Sequence, residues 1–443
     1  MTSWRDWVQP VAAAARSIGL QPCETEFLEV PADTLYDLAA YGLPGMYGHW
    51  SFGQSRWRSK GEFDVGLSKI HELVSHTLPA YAYLLDHNSL SEHIFVMAHV
   101  MGHSDFFQRN IFMQHARTDM LPLLREASGR FQRYELEYGQ AAVERLLDLA
   151  HALMWHVEPL PAPKPETRQP ESERSPYADL LDDRPPKRPS PDELLAERRQ
   201  KRWGTPCPDP LFYLISQAPI EPWERDVLQV VREVGLHYRP QIRTKVMNEG
   251  WAVRACLKIL NELDLPGETH LAVAHLHAQV ARADPLRLNP YWLGWRLFEH
   301  LETTGRDVAE IMTLESDVSF LANWIDADFV REEQLYNWDA VSDGEDTILR
   351  ESTRAWERVR DRLVAAHTPP IPAVAVDEVA PDGALRLRLG DPRPIDVTDA
   401  QRIVLGIARL WRAPVQLWAA TDGSKPLTAA GPTDPDPEED EPR

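Results

Sequence analysis

The residues best placed to do chemistry are two histidines four positions apart. They lie in the run NSLSEHIFVMAHVMGHSDFFQRN, residues 88–110. Ser89 and Glu92 have the spacing of a capping box, which predicts a helix starting there. Four residues turn a helix about 40° past a full turn, so His99 and His103 share one face. That is how one helix offers two ligands to a metal ion. A later run, KVMNEGWA at 245–252, opens an apolar helix that carries Glu249. Joined to the histidines, Glu249 would complete a three-ligand site with an open fourth position. Zinc, or another divalent transition metal, held in that way polarises a carbonyl or activates water. The plainer reading is two core histidines, with Glu249 capping a helix start and Gly250 permitting close packing. Spacing alone leaves both readings open.

The string Asn248-Glu249-Gly250-Trp251-Ala252 resembles the segment from which one large class of zinc peptidases takes its third ligand. The likeness stops at the general base. Those enzymes carry His-Glu-x-x-His, whereas His99-Val100-Met101-Gly102-His103 has a valine that cannot accept a proton. The inverted pattern fails as well, because Gly102 precedes the second histidine. A base would have to come from Glu92, Glu72, Asp105 or Glu249. Glu92 stands two turns before His99 on the same face and serves equally well as a cap. HELVSH, residues 71–76, looks like a zinc motif, but His71 and His76 would lie about 140° apart on a helix. His151 and His156 have the same spacing, and His277 is undecided. Each alone is more often a satisfied core histidine than a ligand. The loop YGLPGMYGHWSFGQSRW, residues 41–57, carries His49 and Trp50, which could line a small-ligand pocket. Such a loop is more often structural. No phosphate loop or dinucleotide fingerprint is present.

These residues need a scaffold, and the composition suggests which. The chain has 443 residues, 43% of them hydrophobic and 26% charged, as in an ordinary globular protein with a large core. A formal net charge of −21 argues against nucleic acid as a partner. Cys23, Cys207 and Cys256 form no Cys-x-x-Cys pair, which fits a reducing compartment. The first twenty residues lack a signal-peptide pattern, and no run approaches the ~20 apolar residues of a membrane span. A cytoplasmic location is the expectation. Apolar periodicity predicts helices over 138–155, 223–238, 250–262, 290–302 and 347–365. The expected fold is mainly α, with a large, zinc-peptidase-like helical core in two halves, 1–157 and 211–366. Residues 158–210 read as a Pro/charge-rich linker with one helix at 191–201. Residues 371–425 read as a small ββαβ module, with a hairpin at Pro381-Asp382-Gly383 and a capping box at Thr398-Asp399-Ala400-Gln401. The acidic end, 426–443, reads as disordered.

Several blocks resemble the SpoVR family (stage V sporulation protein R). They are GLPGMYGHWSFG, LPAYAYLLDHNS, VMAHVMGHSDFF, LLDLAHALM, IEPWERDVLQVVREVG, YRPQIRTKVMNEGWA and NPYWLG. RLWRAPVQLWAATDG resembles the end of longer members. Gly48 departs from the family, which often carries a bulkier residue there. The resemblance marks His49, Trp50, His99, Gly102, His103, His151, Trp223, Arg225 and Pro240, then Asn248 to Trp251 and Asn289 to Tyr291. It implies a link to spore cortex assembly, the cell envelope and stress responses. It also implies partnership with a serine protein kinase and a protein with a von Willebrand-like domain. Two functions fit. One is a metal-dependent hydrolase acting on an amide bond of a peptide or cell-wall precursor. The other is a non-catalytic regulatory or scaffold protein in a stress complex, to which an acidic surface and a small appended module would be suited.

Overall fold

The structure is a computed structural model. It describes residues 3–56, 72–159, 206–283, 289–343, 346–367, 373–390, 395–419 and 425–435, without the side chains of residue 72 and of 337–351. Most of the segment read as a linker, 160–205, including its expected helix, therefore lies outside the described residues. The described chain is mainly α-helical and divides into two compact units. The first comprises Met1–Tyr138 and His237–Pro369, and the second Gly139–Leu236 and Pro370–Arg443.

In chain order the helices are α1 (Val8–Ser17), α2 (Ala32–Tyr41), α3 (Leu90–Arg109), α4 (Met120–Tyr138) and α5 (Gln140–Leu153). Then come α6 (Pro210–Gln217), α7 (Pro222–Arg243), α8 (Lys245–Glu262), α9 (Gly267–Val280) and α10 (Pro290–Thr303). The last are α11 (Val308–Leu314), α12 (Asp317–Trp324), α13 (Ala327–Glu332), α14 (Trp356–His367) and α15 (Val397–Trp411).

The first unit is built around α3. Every residue from His93 to Phe107 is buried, so this helix is a core element covered on all sides rather than an amphipathic surface helix. Its start is the expected capping box. Ser89 N donates to Glu92 Oε2 (2.7 Å), and Glu92 N donates to Ser89 Oγ (3.3 Å). Helices α1, α8 and α9 pack on α3, and α10 packs on α8.

Two expectations are corrected in this unit. The first half contains a sheet, with β1 (Thr25–Val30), β2 (Glu72–Val74) and β3 (Ala80–Leu85) in the order β1-β3-β2. β1 runs parallel to β3, and β2 antiparallel to it. HELVSH is thus in part a strand, and helical angles do not govern it. The region 347–365 is not one helix. β4 (Asn337–Asp343) and β5 (Asp346–Thr353) pair antiparallel, and only then does α14 begin. Thr347, Ile348 and Thr353 favour strand, and Asp343-Gly344 is a hairpin sequence. The periodic run at 138–155 is the helix α5, Gln140–Leu153, of the second unit, which begins after Gly139, whose φ of 91° ends α4.

The second unit holds α5, α6, most of α7 and a four-stranded sheet of order β6-β7-β8-β9. β6 (Val374–Val379) and β7 (Leu385–Leu389) are antiparallel, and α15 carries the chain to β8 (Val415–Ala419), parallel to β7. This is the expected ββαβ order. A further strand, β9 (Thr428–Ala430), pairs with β8 inside the stretch read as a disordered tail. The cap of α15 is Asp396 rather than Thr398. Its Oδ1 accepts from Thr398 N (2.8 Å) and Asp399 N (3.2 Å). No helix among the described residues is long and apolar enough to cross a membrane.

Candidate metal centre

Glycines let three helices of the first unit approach closely. A Cβ on Gly102 of α3 would lie 2.6 Å from Ala252 Cα of α8. A Cβ on Gly250 of α8 would lie 2.2 Å from the Gly294 carbonyl carbon of α10, and one on Gly294 would lie 2.1 Å from Val246 O. Real side chains do not fit at such distances, so α8 lies backbone-to-backbone against both neighbours. Trp251 adds a tie, its indole donating to Asp105 Oδ2 on α3 (2.9 Å).

The first turn of α8 is fixed by a carboxylate from elsewhere. Thr244 supplies no side-chain cap. Instead Asp317, at the start of α12 and 1% exposed, accepts from Val246 N and Met247 N at 2.9 Å each. These amides would otherwise be orphaned. Burial pushes the Asp317 carboxyl up to about 7, against the pull of those amides. A carboxyl whose folded pKa is raised contributes stability below its unfolded pKa that is lost as pH rises through the folded value. Metal-free protein should therefore lose urea resistance between about pH 4 and pH 7, and Asp317→Asn should flatten that loss. Equal slopes in the two proteins would contradict this.

On these supports His99, His103 and Glu249 come together, with a ligand atom of each within 4.8 Å of the others. His103 Nε2 is 3.5 Å and His99 Nε2 3.9 Å from Glu249 Oε2, both long for a hydrogen bond. The two rings are nearly perpendicular, at 87°. His103 Nδ1 donates to Asn248 Oδ1 (2.9 Å), which leaves the Nε2 lone pair facing Glu249. Both ring nitrogens of His99, and Glu249 Oε2, are buried without a hydrogen-bond partner. Burial, then the charge of His99, pulls His103 down to about 4. Burial works to raise Glu249, but the two histidines and Lys245 outweigh it and hold the carboxyl below its ordinary value. Phe95 and Tyr291 stack on the His99 ring, at 6.3 and 6.0 Å between centroids.

Each residue of Asn-Glu-Gly-Trp-Ala thus has a task. Asn248 orients His103, Glu249 faces both histidines, Gly250 admits α10, Trp251 ties α3, and Ala252 meets Gly102. This donor set suits a divalent transition metal: two imidazoles and a carboxylate, with an outer hydrogen bond fixing the tautomer of His103.

The other candidates lie elsewhere. Glu92 is engaged in the α3 cap, about two turns from His99. Asp105 is fully buried and accepts from Gln21 N (2.6 Å) and Trp251 Nε1, so it is a tie rather than a base. Glu72 lies in β2 opposite Leu84, and its side chain is outside the described residues, as is His71. His49 Nδ1 bonds Ser51 Oγ (2.6 Å) and its ring meets Phe52, while Trp50 is 59% exposed; neither is among the clustered donors. His156 Nδ1, in the second unit, accepts from Ala373 N. His277 packs edge-on against Trp295, and burial, then the charge of His99, lowers its pKa. Sequence reasoning missed Asp317, for which no local signal exists. It also missed the stacking of His76 on His237, because HELVSH is a short strand followed by a loop, not a helix.

Comparison with known proteins follows the same residues. The profile described as "SpoVR like protein" matches residues 1–369, which include the whole cluster but not the C-terminal sheet. "Uncharacterized protein YcgB" of Escherichia coli (strain K12) is 32% identical over 289 residues, covering 60% of this chain and 56% of YcgB. The chain therefore spans little more than half the length of that relative. No solved structure matches the chain. With its profile match running from the first residue through the helices that carry the cluster, the chain belongs to the SpoVR family.

Proposed function

We propose that the chain is a metal-dependent hydrolase of amide bonds, with His99, His103 and Glu249 as ligands of zinc or another divalent transition metal. One observation carries this reading: three donors converge on one point with His99 and the facing Glu249 oxygen unpartnered in a buried site. Lone pairs and a carboxylate facing one another in a buried site call for a cation between them. A metal held there supplies a Lewis acid for a carbonyl and a lowered pKa for water. Asn248 would keep His103 Nε2 pointed at the site. Val100 cannot take a proton, and Glu92 and Asp105 are engaged, so among the described side chains proton transfer falls to Glu249 or His277. The substrate class follows from the family's link to the envelope: a peptide or cell-wall precursor, met in the cytoplasm during cortex formation or stress.

Metal-loaded protein should release amine from N-acyl peptides or soluble cell-wall peptides, with activity lost to a chelator and restored by metal. No turnover by metal-bearing protein across such a panel would sink the hydrolase reading. Asn248→Ala should weaken metal binding about 10–100-fold in a chelator competition while keeping all three ligands, and Asn248→Asp should weaken it less. Unchanged affinity in Asn248→Ala would contradict the orienting role.

A second reading is a non-catalytic regulatory protein that binds a serine protein kinase and a von Willebrand-like protein. The compact sheet beyond residue 369, outside the family match, favours it, since appended modules often serve contacts. Capture of the kinase by the full chain, in protein that turns over no amide, would support it.

A further inference from the structure

The face of α3 that carries His99 and His103 continues one turn on to Phe107. The Phe107 ring stacks against His103 (6.2 Å between centroids, 22°) and packs on its other neighbour, His76 (4.7 Å, 35°). His76 and Phe107 line a cavity of about 280 Å³, just under the usual size of a small-molecule site. We propose that this cavity binds an uncharged amide group, such as one peptide unit of a substrate, beside the metal centre.

Three observations support the assignment. First, among the described residues the lining carries no Asp, Glu, Lys or Arg. A charged group would lose its hydration there without gaining a partner. Second, the lining mixes donors and acceptors with an apolar floor. Thr118 and Gln108 supply a hydroxyl and an amide group and Gln114 its carbonyl oxygen, while Phe107 and Met113 supply the floor. The Thr77 hydroxyl is spent on Pro79 O (2.8 Å) and the Gln114 amide nitrogen on Gln108 O (3.2 Å). A secondary amide has the complementary needs: one N–H, one C=O and flanking carbon. Third, His76 is 5% exposed, and its Nδ1 has no hydrogen-bond partner. Burial, then His237, pulls it down to about 4, so the ring is neutral and can donate one hydrogen bond and accept another. The binding stands on these residues alone. It rests on the hydrolase reading only for what would follow binding.

Cys23 also lines the cavity and is partly exposed, whereas Cys207 and Cys256 are buried. It is a built-in reporter. The full chain is alkylated with iodoacetamide at pH 8.5, with or without N-acetylalanine methylamide, and Cys23 is followed by mass spectrometry. The neutral amide should slow Cys23 saturably, about tenfold at ten times its dissociation constant. N-acetylalaninate, the charged analogue, should protect several-fold less. His76→Phe should abolish protection, with Cys207 and Cys256 still unreactive as proof of folding. Thr118→Glu, at the half-exposed rim, should do the same without touching the core. No protection at ~100 mM amide, equal protection by the carboxylate, or full protection in both variants would overturn the proposal. Protection that persists in protein without amidase activity would sustain the cavity and sink the hydrolase. Amidase activity without protection would do the reverse.

Discussion

Valine at Gly294 should unfold the first unit or cost it more than about 3 kcal/mol, a large part of a typical domain's stability. Even a Cβ there would sit 2.1 Å from Val246 O and 2.9 Å from Gly250 Cα. Both are backbone atoms of α8 and cannot swing aside as a side chain would. Ordinary overpacking costs about 1–3 kcal/mol, because neighbours shift rotamers. Here α8 and α10 would have to separate, which would strip the contacts that hold Gly102 against Ala252 and carry Glu249 away from the histidines. Gly250→Val should be as severe, since its Cβ would meet Gly294 at 2.2 Å. Gly267→Ala is the control. Gly267 is exposed, has no atom within 4 Å of a would-be Cβ and has no positive φ, so alanine should be neutral or stabilise by up to about 1 kcal/mol. Urea unfolding followed by circular dichroism separates these outcomes. A Gly294→Val midpoint equal to wild type would refute the backbone-to-backbone packing.

The second large effect is on stability with and without metal. Zinc at a hundred times its dissociation constant should stabilise the folded chain by about 2.7 kcal/mol, and the His99→Ala, His103→Ala double variant should gain nothing. The metal-free comparison is equally informative. Both His99 nitrogens are buried without partners, a cost of about 1–3 kcal/mol per orphaned group that the fold carries without an internal return. Removing the rings relieves that cost and opens space, two terms of opposite sign. Metal-free double variant should therefore differ from metal-free wild type far less than zinc-loaded proteins differ. A variant equally destabilised in both conditions would make these histidines plain core residues.

What the sequence disclosed follows from how local each determinant is. His99 and His103 were legible because the i, i+4 relation is a property of one helix, and Ser89 with Glu92 declared where that helix starts. Glu249 was legible only through its neighbours, as part of a string whose five residues all turn out to make contacts around the cluster. The ββαβ order was legible from alternation and a Pro-Asp-Gly turn. Other features depend on partners far along the chain. β1 pairs in parallel with β3 across more than fifty residues, so a short apolar run in a helix-rich region gave no sign of it. Asp317 caps a helix about seventy residues away in sequence, and its own surroundings look like any helix start. His76 was set aside by helical geometry that does not apply, because it lies in a loop just past β2. Glu92 shows the opposite error: facing the same way as His99 on a wheel, it lies two turns away along the axis.

The most direct test is the metal content of the full, tag-free chain by inductively coupled plasma mass spectrometry, beside the His99→Ala, His103→Ala variant. The account predicts about one divalent transition metal ion per chain in the wild type, and close to none in a variant with an unchanged circular dichroism spectrum. No bound metal in the wild type, even after incubation with zinc or iron, would contradict it.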